Sequence, residues 1–447
     1  MATTPAATER QTSREAQDIK RLRRVATTSF MGTAMEWYDY FIYGLFAALV
    51  FDELFFPSFD PAVGTVLSLL TFGIGFVARP VGAIIFGHLG DRIGRKKTLI
   101  VTLLVIGLST GIIGLLPTFD AIGFAAPILL TTLRFIQGLS LGGEWSGAVL
   151  LAVEHAPAKQ RAFYGAMPQY GSPAGTLLSS GIVSLVTLLP DDQLLSWGWR
   201  IPFLLSFVFL AIALYMRLKV EESPVFTDVV QVQRAEQQKV TKLPLIEVFR
   251  HAGGRVLIVV ATVLFASGGF FLMTTYAVNF GTGELGMEPW KLLVATMVGA
   301  VLEAIGIYIG ARLGDRIGAW KTVALGGAAA AVLVIPIAFM LGSGIEVLVI
   351  AGVAIGIGAL GIPYGPLGTM LSELFSARYR YSGVAVSYNI GGLIGGFVPS
   401  IAAAFALAVG SAVVVIPVLL GIIMGLCVIG ALIAGRVLSR QEETIAA

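Results

Sequence analysis

Acidic and basic side chains interrupt two of the apolar stretches of this chain. Glu36 and Asp39 lie in the first stretch, and Arg134 and Glu144 lie in another. An ionisable residue inside an apolar span is energetically costly, so its presence is by default a hypothesis of function. Protonation of a carboxylate removes its charge and frees a paired guanidinium, whereas deprotonation restores the pair. These four residues therefore predict a proton-coupling site, and the alternative is a static ion pair that holds two helices together.

The spacing of these residues predicts where they lie on their helices. Glu36, Asp39, Tyr40 and Tyr43 are three or four positions apart, which places them on one helix face. At about 1.5 Å per residue, Asp39 lies roughly 20 Å from one end of its span, near the midplane of a bilayer. The same count places Arg134 about 15 Å from the other end of its own span, at a matching depth. We therefore expect an Asp39–Arg134 pair.

Other polar side chains within apolar stretches could complete a cavity. Arg79 shares a helix face with Ser68 and Thr71, so it either points inward or extends towards the lipid headgroups. The planar fork of an arginine suits a carboxylate that is held bidentately. Because Arg79 and Arg134 both lie in the first half of the chain, an anion should bind mainly against that half. The residues predicted to bind a ligand are Arg134, Arg79, Tyr43, Gln137, Gln169, Tyr276, Tyr388 and Asn389.

The remaining candidates for chemistry are few. Glu303 lies near the midplane of an apolar stretch in the second half, so it is either a second proton site or a hydrogen-bonded packing residue. The chain has one cysteine and three histidines, and none of them has the spacing of metal ligands. An intramembrane enzyme would need paired histidines, or a histidine beside a serine, within the spans. His88, His155 and His251 lie at the edges of the apolar stretches instead. We therefore expect no metal, no cofactor and no enzymatic activity.

The composition predicts the fold that must position these residues. The 447-residue chain is 56% hydrophobic and 13% charged, whereas soluble domains have about 25% charged residues. A helix needs about 20 apolar residues to cross the hydrocarbon core of a membrane. Such stretches predict an all-α membrane protein with twelve transmembrane helices in two pseudo-symmetric six-helix bundles. They lie at residues 25–51, 62–89, 98–116, 122–153, 161–189, 198–219, 253–280, 289–312, 320–342, 345–374, 381–408 and 411–436.

The charge distribution predicts the orientation of the spans. All but four of the 30 Lys and Arg residues lie in the termini, in connections that follow even-numbered spans, or at the span ends next to them. Connections rich in Lys and Arg are cytoplasmic, so both termini should be cytoplasmic, and the net charge of +3 reflects topology rather than nucleic-acid binding. The predicted domains are a cytoplasmic tail at 1–24, a six-helix bundle at 25–219, a cytoplasmic linker at 220–252, a second six-helix bundle at 253–436 and a cytoplasmic tail at 437–447.

An internal repeat relates the two halves. The hexapeptide Leu89–Gly94 recurs identically as Leu313–Gly318, half the chain later. Repeats of this kind are typical of membrane carriers whose two halves rock around a central site. A second repeated pattern is a glutamate followed by an arginine seven positions later. Glu154 and Arg161 join spans four and five, and Glu373 and Arg380 join spans ten and eleven. Both patterns predict gating contacts for Asp91, Arg92, Asp315, Arg316, Glu154, Arg161, Glu373 and Arg380.

Several strings resemble the major facilitator superfamily and, within it, the metabolite:proton symporter family. They are the hexapeptide loop, EWYDY at 36–40, RPVG at 79–82, RFIQG at 134–138, GGEW at 142–145, EHAP at 154–157 and SWGWRIPF at 196–203. The resemblance implies the major facilitator fold and secondary active transport through alternating access. It implies import, by proton symport, of a small organic acid anion that is shikimate-like, a dicarboxylate or an aromatic acid.

The same resemblance implies further properties and leaves two alternatives. It implies a multi-pass protein of the bacterial inner membrane that is a monomer, with protons, a small organic anion and the lipid bilayer as its partners. The Asp39–Arg134 pair is similar to the proton-coupling pair of sugar/proton symporters. One alternative is a proline/betaine-type zwitterion:proton symporter, and the other is a drug/proton antiporter.

Overall fold

The computed structural model describes residues 30–446, with the exceptions of 31, 94, 143, 155, 220–243 and 377–379. The predicted tail at 1–24 and most of the predicted linker at 220–252 therefore lie outside the described residues. The side chains of Asp91, Arg92 and Glu144 also lie outside them. Every regular element of the described part is helical, and no strand occurs there.

The first half contains six helical spans, α1 to α6, of which α4 and α5 are each built from consecutive helical segments. Short helical turns at Phe51–Phe55, Phe119–Ile122, Ala158–Gln160, Asp191–Gln193 and Leu194–Gly198 lie between the spans. The bounds are 32–49 for α1, Pro61–Ile93 for α2, Arg95–Ile113 for α3, Ala125–Ser140 and Glu144–Glu154 for α4, Arg161–Gly165, Met167–Tyr170 and Gly171–Val186 for α5, and Arg200–Lys219 for α6.

The second half contains six further spans, α7 to α12, and α7 is widened by two π-helical turns. The bounds are Pro244–Leu264, Phe265–Gly269, Leu272–Tyr276 and Ala277–Gly283 for α7, Pro289–Ile317 for α8, Ala319–Gly342 for α9, Glu346–Leu374 for α10, Arg380–Gly396 and Val398–Val409 for α11, and Ala412–Ala446 for α12.

Length and composition make most of these helices able to cross a membrane. In the described part of the chain, nine helices are long and apolar enough to do so, namely α2, α4 and α6 to α12. The remaining three have physical reasons to fall short: α1 carries two acidic residues, α3 has an apolar core of only Ile100–Ile113, and α5 is broken by a 3₁₀ turn. The predicted all-α membrane fold with two sets of six spans is confirmed.

Two helices continue beyond the predicted spans. Helix α7 begins at Pro244, inside the predicted linker, and kinks at Ala252, whose φ is −134°. Helix α12 continues to Ala446, so the predicted tail at 437–447 is helical over nearly all of its length. The apolar count missed both extensions because these turns carry polar residues, which end an apolar stretch without ending a helix. A proline at the first helical position also favours the start of α7.

Small residues bring α2 and α4 into direct backbone contact. A Cβ atom at Gly138 would overlap the carbonyl oxygen of Gly75, and one at Gly82 would overlap that of Leu139. Glycines allow such close approach between transmembrane helices. The contact carries the Arg134 side chain of α4 against the backbone of α2, where it becomes part of the site described below.

Aromatic side chains fill much of the contact between the two halves. Trp37 and Phe41 of α1 pack against Phe270 and Phe271 of α7, and the stacked rings of Phe41 and Phe270 have centroids 5.3 Å apart. Phe72 of α2 meets Phe271 edge to face at 4.9 Å. These rings enclose the middle of the molecule on the side of α1, α2 and α7.

Candidate functional site

A small cavity lies where α1, α2, α4 and α11 meet. Its volume is about 30 Å³, close to the volume that one molecule occupies in liquid water. Glu36 and Arg79 are the charged residues of its wall, and the other lining residues are Thr33, Trp37, Tyr40, Leu141, Trp145 and Tyr388. Because the space is so small, its walls must separate before anything much larger than water can enter.

Arg79 points into this cavity rather than towards the headgroups. Its guanidinium carbon lies 4.6 Å from the centre of the Tyr40 ring and 4.5 Å from that of the Phe76 ring. Its Nε donates a hydrogen bond of 3.2 Å to the Tyr40 hydroxyl. Stacking on aromatic faces stabilises a cation in an apolar environment, so the two rings hold Arg79 in the inward position.

Arg134 is fully buried and enclosed by aromatic rings. Its guanidinium carbon lies 4.1 Å from the centre of the Tyr40 ring, 4.3 Å from Tyr43 and 4.9 Å from Phe72. Its Nη1 donates a 2.6 Å hydrogen bond to Gln137 Oε1, and its Nη2 has no hydrogen-bond partner among the described residues. A buried cation with an unfilled donor is a place where an anion can bind.

Asp39 is buried among α1, α3 and α6. Its Oδ1 accepts a 2.7 Å hydrogen bond from the Ser206 hydroxyl, and the Thr110 hydroxyl lies beside the same carboxylate. Thr110 in turn accepts a 2.9 Å hydrogen bond from Gln137 Nε2. Because Gln137 also accepts a hydrogen bond from Arg134, the acid and the arginine are joined through two intermediate side chains, which we call the Thr110–Gln137 relay.

The structure corrects two expectations about Asp39. Among the described residues there is no Asp39–Arg134 salt bridge, and the relay stands in its place. Asp39 also does not line the central cavity, although Glu36 and Tyr40 do. At about 100° per residue, Asp39 is displaced by about 60° from Glu36 around α1, so it lies at the edge of the polar stripe and turns towards α3 and α6. Its part in proton coupling stays a prediction.

Two aromatic rings from different halves close one side of the cavity. Trp145 of α4 stacks on Tyr388 of α11, with 3.6 Å between ring centroids and 10° between ring planes. The Trp145 Nε1 donates a 3.0 Å hydrogen bond to Gln169 Oε1. Next to the stack, Asn389 Nδ2 donates a 2.8 Å hydrogen bond to the Gly142 carbonyl oxygen. These contacts hold α4 against α11.

The residues predicted to bind a ligand fall into two groups. Arg79 and Tyr388 line the cavity. The others do not, although all are buried: Tyr43 donates a 2.8 Å hydrogen bond to Thr71 and covers Arg134, and Tyr276 lies within α7. Helical spacing could not separate these groups. It shows on which helix face a residue lies, but not which other helix packs against that face.

Three residues of the site were missed by sequence reasoning. Ser206 and Thr110 contact Asp39 from other helices, and Trp145 forms half of the aromatic stack. Hydroxyl and indole groups are uncharged and are common in packed helices, so they do not stand out within an apolar span. Trp145 entered the sequence analysis only as part of the string GGEW, without a role of its own.

Glu303 is buried between α8 and α5, so it joins the two halves. Its Oε1 accepts a 3.1 Å hydrogen bond from the Ser172 hydroxyl, and its Oε2 has no partner among the described residues. Tyr364 of α10 is buried as well, with Tyr388 and Trp145 among its neighbours. The hydrogen bond to Ser172 is consistent with a packing role, and the unfilled oxygen leaves the proton-site interpretation standing.

Contacts between the halves close the end that carries the repeated hexapeptides. Asp315 Oδ1 of the second copy accepts a 2.8 Å hydrogen bond from the backbone nitrogen of Ala162 at the start of α5. Arg380 Nη1 lies 3.5 Å from Glu154 Oε1. The glutamate of the first Glu–Arg pattern therefore contacts the arginine of the second pattern, across the two halves.

One further predicted gating residue contacts the other half through its backbone. Arg161 takes part through its carbonyl oxygen, which accepts a 3.1 Å hydrogen bond from the Thr369 hydroxyl. The side chains of Arg316 and Glu373 are exposed. The side chains of the first hexapeptide lie outside the described residues, so the part they play in gating stays a prediction.

The opposite end is closed as well. Asn279 Nδ2 of α7 donates a 3.0 Å hydrogen bond to the carbonyl oxygen of Ala48 in α1. Thr296 Oγ1 of α8 donates a 2.8 Å hydrogen bond to Ser180 Oγ of α5. Contacts between the halves therefore lie on both sides of the central cavity.

Comparison with known proteins agrees with this architecture. A family model described as sugar (and other) transporter matches residues 25–245 and 230–439. The crystal structure of a D-xylose–proton symporter matches with a TM-score of 0.71 at 17% identity, over 92% of this chain and 96% of that chain. At such low identity the likeness shows the fold.

Two curated relatives are much closer in sequence. The chain is 40% identical over 388 residues to an inner membrane metabolite transport protein of Escherichia coli (strain K12), which covers 84% of this chain and 86% of that protein. It is 39% identical over 378 residues to the shikimate transporter of the same strain, with 84% and 86% covered. The chain is therefore a multi-pass membrane transporter, and it belongs to the sugar (and other) transporter family of the major facilitator superfamily.

Proposed function

We propose that this chain imports a small organic acid anion together with protons, by alternating access, with both termini in the cytoplasm. The observation that carries the proposal is the arrangement of two arginines: Arg79 lies in the wall of the central cavity, and Arg134 lies one layer behind it with an unfilled Nη2 donor. A guanidinium fork can hold a carboxylate by two parallel hydrogen bonds. The 39% identity to a shikimate transporter supports an acidic cargo.

Glu36 offers a direct way to couple the anion to a proton. It shares the cavity wall with Arg79. When Glu36 is ionised, its negative charge repels the anionic cargo. Protonated Glu36 carries no charge, so the positive charge of Arg79 then attracts the cargo without opposition. The anion and the proton are therefore taken up together. Glu144 is a further predicted proton carrier, at the start of the second segment of α4.

Asp39 couples to the site less directly, through the Thr110–Gln137 relay. The Thr110 hydroxyl donates to the carbonyl oxygen of Ile106 at 2.9 Å and lies beside the Asp39 carboxylate. Ionised Asp39 competes for this hydroxyl proton and so fixes the orientation of Thr110 and Gln137. Protonation of Asp39 removes that acceptor, which releases the relay and frees the Arg134 Nη1 donor from Gln137 for the anion.

The contacts between the halves on the two sides of the cavity are the gates in this mechanism. Opening the Asp315–Ala162 and Glu154–Arg380 contacts releases the cargo to the cytoplasm. Opening the contacts at the opposite end, where Asn279 meets α1, admits the cargo from outside. If the number of protons taken up exceeds the negative charges on the anion by one, each transport cycle moves one net positive charge inward. The membrane potential drives this movement with about 2.3 kcal/mol per charge per 100 mV.

The proposal is tested by acidification of proteoliposomes that contain a pH-sensitive dye. Shikimate, 2-oxoglutarate, citrate, 4-hydroxybenzoate, short monocarboxylates, proline and betaine are added in turn. We expect one of the acids to acidify the interior. Each pH unit across the membrane supports up to about a tenfold accumulation per coupled proton. Silence with every acid would contradict the proposal.

Asp39→Asn separates coupling from binding in the same assay. Asparagine retains an oxygen that can accept the Ser206 hydrogen bond, so the fold should survive. We expect loss of acidification and of accumulation, with counterflow exchange of the labelled acid retained. Asp120→Asn, which changes an exposed acid between α3 and α4, is the matched control and should behave as the unmodified protein. Loss of counterflow and binding in Asp39→Asn would instead indicate that Asp39 contacts the cargo.

One observation favours the zwitterion alternative. The cavity wall contains the aromatic rings of Trp37, Tyr40, Trp145 and Tyr388, and a quaternary ammonium group can bind to such faces. A signal with betaine or proline, without a signal from any acid, would replace the organic acid by a compatible solute. The relay and the gates would then serve the same coupling with a different cargo.

A further inference from the structure

An open groove of about 530 Å³ lies between α2 and α11. Both helices are long and apolar enough to cross a membrane, and Ile394 and Ile401 of the groove wall are exposed. The groove shares no lining residue with the central cavity, so it is a separate feature that opens towards the surroundings of the helices. Its walls, which we call the α2–α11 groove, include Val66 and Leu70 of α2 and Leu393, Phe397, Ile401 and Ala404 of α11.

The groove lies next to a close contact between the two helices. A Cβ atom at Gly73 would overlap the Phe397 ring, and one at Gly396 would overlap the Phe76 ring, so α2 and α11 touch there. From this contact the groove extends mainly towards the first residue of α2 and the last residue of α11. At about 1.5 Å per residue, its lining residues lie about 8–14 Å from the former and about 8–24 Å from the latter. These helix ends are opposite to the repeated hexapeptides, so the groove lies mainly in the leaflet away from them.

The wall of the groove offers almost nothing to a polar occupant. Ser400 is the only polar residue among those that line it, and the Ser400 hydroxyl already donates a 2.9 Å hydrogen bond to the carbonyl oxygen of Phe397. The sequence has no lysine or arginine at 51–78 or 381–435, so α2 and α11 present no cation to a lipid headgroup at this end. The occupant must therefore be apolar, and the apolar solvent around a membrane span is the hydrocarbon of the acyl chains.

The dimensions of the groove distinguish a hydrocarbon chain from a helix. Its wall on α11 runs from Leu393 to Ala404, which is about 16 Å at about 1.5 Å per residue. A volume of about 530 Å³ over that length gives a mean width of about 6 Å. A transmembrane helix from a second copy of this chain is about 10–12 Å across with its side chains, so it is too thick for the groove. A single acyl chain fits.

We propose that one acyl chain of a phospholipid occupies the α2–α11 groove, in the leaflet opposite the repeated hexapeptides. Hydrocarbon gains no hydrophobic free energy by moving from the bilayer into such a groove, so van der Waals packing and shape hold the chain there. Because α2 belongs to the first half and α11 to the second, the chain touches both halves and must shift when they move relative to each other. The site is independent of which cargo is carried.

Photo-crosslinking in proteoliposomes tests the proposal. The full chain is reconstituted into phosphatidylcholine vesicles that contain a trace of phosphatidylcholine with a diazirine in the middle of one acyl chain, and the labelled residues are identified by mass spectrometry. The exposed side chains of Val332, Ile335 and Phe339 on α9 report ordinary contact with lipid. We expect residues 393–404 to be labelled about threefold or more above residues 332–339, because a chain enclosed by two helices makes more contacts than one that lies against a single helix.

Substitutions that fill the groove should displace the chain. Ala404 is exposed in the groove wall, so Ala404→Phe places a ring in the groove, and Leu70→Phe adds bulk from the opposite wall. Both variants should lower the labelling of 393–404 to the level of α9. Ala328→Phe, at an exposed alanine of α9, is the matched control and should leave the labelling of 393–404 unchanged. A probe with a phosphatidylglycerol headgroup should label the groove as strongly as the phosphatidylcholine probe, because the groove recognises the chain.

Three results would overturn the proposal. Equal labelling of 393–404 and of α9 would mean that the groove holds lipid no differently from any other surface. Labelling of 393–404 that survives both Ala404→Phe and Leu70→Phe would mean that the chain lies outside the groove. Cross-links between two copies of this chain at 393–404, without lipid label there, would assign the groove to a dimer contact instead.

Discussion

Replacement of Gly75 tests the buried arginine site directly. A Cβ atom at Gly75 would lie 2.8 Å from Arg134 Nε, whereas ordinary contact begins near 3.4 Å, so in Gly75→Ala the arginine must move by about 0.6 Å. The rings of Tyr40, Tyr43 and Phe72 enclose the guanidinium and leave it little room to yield. The hydrogen bond from Arg134 Nε to the Phe72 carbonyl oxygen is already 3.4 Å long, and such a shift would break it.

The size of the effect follows from two opposing contributions. Overpacking of a well-packed site costs about 1–3 kcal/mol, whereas alanine is favoured over glycine within a helix by about 1 kcal/mol. A Cβ atom at Gly425 of α12 would meet nothing within 4 Å, so Gly425→Ala has only the helix-propensity gain. The free energies of unfolding of the two variants should therefore differ by about 1–3 kcal/mol, which for a chain of this length corresponds to Tm values about 1–3 °C apart.

Thermal melting of the purified variants in detergent, monitored by tryptophan fluorescence, measures this difference. Proteoliposome acidification measures its functional consequence, and we expect Gly75→Ala to lose at least about four-fifths of the initial rate because Arg134 anchors the relay. Gly425→Ala should transport normally. If the two variants melt at the same temperature and Gly75→Ala transports at the normal rate, Arg134 has room to move and the tight enclosure described above is wrong.

Two further substitutions test the charge site and the gate. Arg134→Lys keeps the positive charge but loses the planar fork and the ring stacking, so uptake and counterflow should both fall by about tenfold or more in proteoliposomes; unchanged uptake would show that charge alone suffices. Glu154→Gln should leave the Tm within about 2 °C, because the half-exposed pair with Arg380 contributes about 1 kcal/mol at most; a larger drop would mean that this contact holds the halves together more firmly than its exposure suggests.

The fold could be predicted from the sequence because a membrane span is a local property. Each helix satisfies its own backbone hydrogen bonds, so a sufficiently long apolar stretch is a span whatever its neighbours are. The predicted span at 320–342 is found as Ala319–Gly342, and that at 345–374 as Glu346–Leu374. The boundaries failed where polar helix turns continue a span, as before Ala252 in α7.

The residue types of the site could also be read from the sequence, since charge within an apolar stretch is conspicuous. Glu36, Arg79 and Arg134 were predicted, and the first two line the cavity while the third lies behind it. The partners of these residues could not be predicted in the same way. Asp39 contacts Ser206, which lies 167 positions further along the chain, instead of forming a salt bridge with Arg134.

The sequence by itself determined which stretches form spans, which of those spans carry charged residues and how the halves repeat. Only the tertiary structure decided which faces meet. Glu154 pairs with Arg380 and not with the nearby Arg161, and Trp145 stacks on Tyr388 of the other half. The physical reason is that depth and helix face are set within one helix, whereas contacts depend on the rotation and separation of several helices. Those quantities are fixed by backbone packing at small residues and by the relative position of the two halves.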